Sequence, residues 1–101
     1  MGFAIELQDE RGERLEVTTD PKNHLHRLLR PYQGSDSVLG EIDWYGDTVF
    51  NRIQIRRFLL AWKELLQHAQ SQEEAKIVEG VRFLAERCEA DVHLYLKFIG
   101  D

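Results

Sequence analysis

NRIQIRRFLLAWKELLQHAQSQEEAKIVEGVRFLAERCEAD, residues 51–91, decides the fold. At 100° per residue, Ile55, Phe58, Leu59, Trp62, Leu65, Leu66 and Ala69 share an arc of about 120°, which predicts an amphipathic helix over 51–70. Asn51 and Gln54 have capping-box spacing at its start, and a start capped by Asp47 is the competing reading. Ser71 and Glu74 repeat the capping spacing, and Ile77, Val78, Val81, Leu84, Ala85 and Cys88 make a second stripe running to about Asp91. Two apolar stripes joined by so short a turn fold back as an antiparallel pair, and their greasy sides need a layer to cover.

Upstream of that pair, Phe3, Ile5 and Leu7 alternate with Ala4 and Glu6, and Leu15, Val17 and Thr19 alternate likewise. DERGE between them supplies a polar turn, with Gly12 free to take a positive φ, so a β-hairpin is expected. Asp20-Pro21 predicts a short helix start carrying Leu25, Leu28 and Leu29, and Pro31 ends it. After the polar loop 32–37, Val38 to Asp43 reads as a short strand, WYGD as a tight turn and Thr48 to Phe50 as a brief returning strand. HLYLKFI, residues 93–99, has Leu94, Leu96 and Phe98 on one side and Tyr95 and Ile99 on the other. Apolar bulk on both sides predicts a strand inside a sheet. The expected architecture is a two-layer α+β domain over 1–101. A small, mostly antiparallel sheet, made by the N-terminal hairpin and the C-terminal strand, packs on the long helix pair.

Charge is polarised along the chain. The net charge is −5, with six acids against two bases in residues 1–20. Residues 51–70 reverse this: Arg52, Arg56, Arg57 and Lys63 stand against Glu64 alone. A net acidic chain repels phosphate backbones, and the basic stretch lacks interleaved aromatics, which argues against a nucleic-acid partner even with Lys22, Arg27 and Arg30 added to the patch. One cysteine excludes an internal disulfide and fits a reducing compartment. MGFAIELQDE lacks a basic n-region and an apolar h-region, Glu6 breaks the myristoylation pattern, and no apolar run spans a bilayer, so a cytoplasmic chain is expected.

No phosphate loop, serine elbow, dinucleotide fingerprint or paired-cysteine metal motif occurs. No catalytic residue, metal ligand or cofactor is therefore assigned. Asp43 and Asp47, with Glu41 nearby, flank an aromatic turn and suit a hard cation or an acid–base pair, although aspartates beside Gly46 also satisfy turn amides. His24 and His26 are two apart and do not share a helix face. Joining His68 and Cys88 in a nucleophilic site needs help from the fold, and Cys88 lies on an apolar stripe. Trp44 and Tyr45 are adjacent and point apart, so one anchors the turn while the other faces solvent as a partner contact.

The sharpest anomaly is Ile53 and Leu60, one heptad apart and about 120–160° from the centre of their stripe. They lie among Arg56, Arg57, Lys63 and Glu64, the anchor-and-rim pattern of an interface. Phe83 stands off its own stripe in the same way. These features predict a non-catalytic domain that binds a protein partner or a second copy of itself. A small ligand- or metal-binding module built on the Asp43–Asp47 loop is the alternative. YGDTVFN, residues 45–51, with the terminal KFIGD, residues 97–101, resembles small bacterial proteins of about this length to which no activity is attached. In size and acidity the chain is also similar to immunity proteins of polymorphic toxin systems, which implies a protein partner and names no site residue.

Overall fold

The computed structural model describes residues 2–100; Asp101, the last residue of the KFIGD segment, lies outside them. Strands β1 (Ala4–Gln8) and β2 (Arg14–Thr19) are followed by helix α1 (His24–Leu29), strand β3 (Asp47–Phe50), helices α2 (Arg52–Gln67) and α3 (Gln72–Ala90), and strand β4 (Tyr95–Ile99). The sheet is antiparallel with order β2-β1-β4-β3, so the C-terminal strand lies inside it as its two-sided apolar pattern requires. Ile5, Leu7, Phe50, Leu96 and Phe98 face the helices, and α2 and α3 pack together over them as an α+β fold. Phe50, Phe58, Trp62 and Phe98 form the aromatic centre, with ring centroids 5.0–6.1 Å apart. The Trp62 indole N–H donates to the Val78 carbonyl at 2.9 Å, which sets the height of α3 against α2.

Three local readings are corrected. Val38 to Asp43 is not a strand: Val38–Glu41 forms a turn of 3-10 helix, capped by Ser37 Oγ accepting from the Leu39 amide at 3.2 Å. Its buried residues, Val38, Leu39 and Ile42, have helical rather than alternating spacing. Gly40 is required there, because a Cβ would lie 2.7 Å from the Tyr32 carbonyl oxygen. Second, α1 begins at His24 rather than Pro21, because Asn23 takes the left-handed conformation at φ 60° and breaks the run. Asp20 still caps it from one turn away: its buried carboxylate accepts from the His24 amide at 3.0 Å and the Leu25 amide at 2.7 Å. Third, Ser71 Oγ accepts from the Glu74 amide at 3.1 Å, but the Glu74 carboxylate turns to the Gln70 amide instead of closing the box. At Asn51 and Gln54 both halves of the box form, at 3.0 and 2.9 Å, so α2 starts where the amide pair places it.

Candidate interaction surface

Helix α2 buries Ile55, Phe58, Leu59, Trp62 and Leu65, and its opposite side is left to water. Ile53 is 82% exposed and Leu60 69%, so neither the 31–47 loop nor α1 covers them. Seven residues apart, they are offset by only about 20° and form one ridge. Arg56, Arg57 and Lys63 rim it. Arg56 reaches Glu89 of α3 at 3.9 Å, and Arg52 Nε donates to the Glu89 carbonyl at 3.2 Å. Among the described residues no ion pair holds Arg57 or Lys63. Phe83 is 55% exposed on α3, on the side turned away from the sheet. It lies between Glu79 and Glu86, both within 3.4 Å of Arg82. The hairpin thus presents a basic rod with an aliphatic ridge beside a rod of mixed, paired charge that exposes one aromatic.

Trp44 and Tyr45 divide as their adjacency requires. Trp44 is half-buried, edge-on to His26 at 4.8 Å, while Tyr45 is 82% exposed. Both sit beyond the Asp47 end of β3, whereas Ile53 lies past its Phe50 end, so the loop and the helix ridge are separate surfaces. The loop carboxylates are engaged internally. Asp43 Oδ1 accepts from the Tyr45 amide at 2.8 Å, the Asp43 amide donates to Thr48 Oγ1 at 2.8 Å, and Asp47 pairs with Lys97 at 3.3 Å. No group of three or more His, Cys, Asp or Glu suited to a metal ion occurs among the described residues.

His68 and Cys88 are not brought together: His68 closes α2 at one end of the hairpin, and Cys88 lies near the other end of α3. Cys88 is fully buried, its Sγ is 3.4 Å from the Leu94 carbonyl oxygen, and burial above all pushes its thiol up to about 11.

Sequence reasoning missed a buried ionic junction. The Glu74 carboxylate accepts from Arg27 Nε at 2.8 Å, from a second Arg27 nitrogen and from the Gln70 amide at 2.9 Å, while Arg27 also donates to the His68 carbonyl at 3.0 Å. The Arg27 hydrogen bond is the main cause that lowers the Glu74 pKa to about 2. Burial opposes it, and the Gln70 amide adds to it. Lys22 binds Glu73 at 3.1 Å, and the His24 ring lies 3.5 Å from Glu73 and 3.6 Å from Glu74. Lys22 and Arg27 are therefore matched to acids of α3 and do not extend the basic face of α2. The only sequence signal was Glu74 on the buried arc of its helix, which the capping motif masked. Beside this junction Thr18, Pro21, Lys76, Ile77 and Gly80 line an open cleft of about 470 Å³.

No helix among the described residues is long and apolar enough to cross a membrane. Compared with protein-family models, curated proteins and solved structures, the chain matches none, so the functional reading rests on its own geometry.

Proposed function

We propose that this chain is a protein–protein interaction domain whose contact surface is the outward face of the α2–α3 hairpin. The observation that carries it is the Ile53–Leu60 ridge, left in water on a helix whose start is fixed by a capping box and whose opposite side buries Ile55, Phe58, Leu59, Trp62 and Leu65, with Leu66 of that stripe partly exposed. An aliphatic pair ringed by long cations has the anchor and rim that a specific contact uses, and the cations fix orientation and favour an acidic opposing surface. The fold has no need of the pair: α2 is held by its capping box and by Phe58, Trp62 and Leu65. The Asp43–Asp47 loop supports a ligand-binding reading less well, because its carboxylates are tied to the Tyr45 amide and to Lys97.

The test is the double substitution Ile53→Asp and Leu60→Asp, followed by crosslinking of the tagged chain in cells that produce it. The expected result is loss of the crosslinked adducts, with the unfolding midpoint of the purified variant close to that of the parent. Adducts that survive the double substitution would remove the helix face as the contact surface.

A further inference from the structure

We propose a second site, independent of the α2 ridge: the cleft between the first half of α3 and the β2–α1 connection binds a small carboxylic acid with a flat apolar body. Its volume of about 470 Å³ lies in the range of small-molecule sites. Lys76, Ile77 and Gly80 of α3 form one wall, and Thr18, Pro21 and Lys22 form the other. Ile77 is only partly covered by the core and Pro21 is exposed, so the cleft offers apolar surface beside two lysines. That is the usual make-up of a ligand site, an apolar lining with a few polar groups to fix orientation.

The main observation is Gly80. It is the ninth of the nineteen residues of α3, in the helix interior. Glycine there lowers the ratio of folded to unfolded chain by about two- to fivefold relative to alanine. The backbone does not ask for it, since Gly80 has no positive φ. Nor does packing: a Cβ would lie 3.5 Å from Thr18 Cγ2 and 3.6 Å from Thr18 Oγ1, which are ordinary contacts. At Gly40 and Gly100, by contrast, a Cβ would meet backbone at 2.7 and 2.5 Å. What the absent methyl leaves at position 80 is room on the cleft wall, bare helix backbone that a flat ring can approach closely.

The acid group follows from which charges around the cleft are already engaged. Asp20 is buried, and its two carboxylate oxygens accept from the His24 and Leu25 amides. Glu73 is held by Lys22 at 3.1 Å, Glu74 by Arg27, and Glu16, the next acid along β2, by Arg87. Lys76 is exposed, and among the described residues no ion pair holds it. A carboxylate at the cleft mouth gives Lys76 its partner, while the body of the ligand lies on Ile77, Pro21 and Gly80.

The experiment follows the amide resonances of the purified chain as 3-phenylpropionate is added to about 20 mM, several times a Kd on the order of 4 mM for a ligand of that size. Uncharged 3-phenylpropionamide, of the same shape, is the control. Saturating shifts are expected at Thr18, Lys76, Ile77 and Gly80, with binding at least threefold weaker for the amide and for Lys76→Gln with the acid. Gly80→Ala should raise the unfolding midpoint by about 2–8 °C and still weaken binding at least threefold, separating loss of room from loss of fold. No saturating shift at the cleft, an amide that binds as well as the acid, or shifts as large around Ile53 and Phe83 overturns the site. So does a Gly80→Ala chain that melts below the parent, because packing would then require the glycine. None of these results depends on the outcome for Ile53→Asp/Leu60→Asp, so the two surfaces stand or fall separately.

Discussion

Replacing Glu74 with glutamine keeps the shape of the buried side chain and removes its charge. In the folded chain the carboxyl has moved from 4.5 to about 2, with the Arg27 hydrogen bond as the first cause. Each pH unit by which a pKa moves corresponds to about 1.4 kcal/mol, so the junction contributes at most about 3 kcal/mol. Arg27 is 44% exposed, and water around its guanidinium screens the pair, which reduces the expected contribution to about 1–2 kcal/mol. The sign follows from a folded pKa lying below the unfolded one. The stabilisation is fully present above about pH 4.5 and is lost as pH falls through that value towards about 2. Urea unfolding at pH 7, 4.5, 3 and 2 should therefore show Glu74→Gln less stable than the parent by about 1–2 kcal/mol at neutral pH, with the two curves converging at the acid end. At neutral pH this corresponds to roughly 5–15 °C in Tm for a domain of this size. A gap that persists undiminished to pH 2, or no gap at pH 7, would refute the assignment of the junction's stability to ionised Glu74.

Two further outcomes test how the ends of the chain are anchored. A Cβ on Gly100 would lie 2.5 Å from the Trp44 backbone carbon, and backbone cannot rotate away, so Gly100→Ala must displace the Gly100 amide from the Gly46 carbonyl it reaches at 2.7 Å. The expected loss is about 1–3 kcal/mol in urea unfolding, and an unchanged midpoint would show that this closure is not tight. Cys88 is buried with its thiol at about 11, so at pH 8 only about one molecule in a thousand carries the reactive thiolate. A disulfide-exchange reagent should label it only as fast as the chain unfolds, and prompt labelling of the folded protein would contradict its burial.

Wherever a pattern was periodic and its capping local, the sequence was enough to read the element. The 3.6-residue stripes in 51–91, the Asn51–Gln54 pair and the alternation in 3–7 and 94–99 each name their element and its buried side, because one side chain per position decides which face leaves water. Leu66, on the margin of the α2 stripe, is the exception and stays 38% exposed. Readings failed where a distant residue competed for a local group. Glu74 has the spacing to close a cap on Ser71, but Arg27, 47 positions earlier, offers its carboxylate a charge-assisted partner and turns it away. Asp20 caps a helix that begins four residues later, because Asn23 takes the left-handed turn between them. The exposure of Ile53, Leu60 and Phe83 lay between these cases. Their position off the stripe was legible, but whether the 31–47 loop would cover them was settled by Val38, Leu39 and Ile42 folding that loop inward.

The same comparison explains why the contact surface belongs to the helix layer and not to the open side of the sheet. That side also exposes apolar groups: Leu15 and Val17 on β2 and Val49 on β3. These strands are the two edges, and the strands between them carry charge. The row through Val17 runs to Glu6, Lys97 and Val49 by register, so a carboxylate and an ammonium stand between the aliphatic groups. Glu6 is further bound by Gln8 at 2.7 Å and Arg14 at 3.5 Å, and Lys97 by Asp47 at 3.3 Å; covering the face would take these paired charges out of water. The edges themselves resist pairing, since β2 shifts register opposite Leu7 and Gln8, and β3 is only four residues long. On α2 Ile53 and Leu60 stand on one line about 10 Å apart, and Arg56 and Arg57, level with the gap, lie one to each side of it, where their long stems leave the charged heads hydrated while the apolar pair is covered.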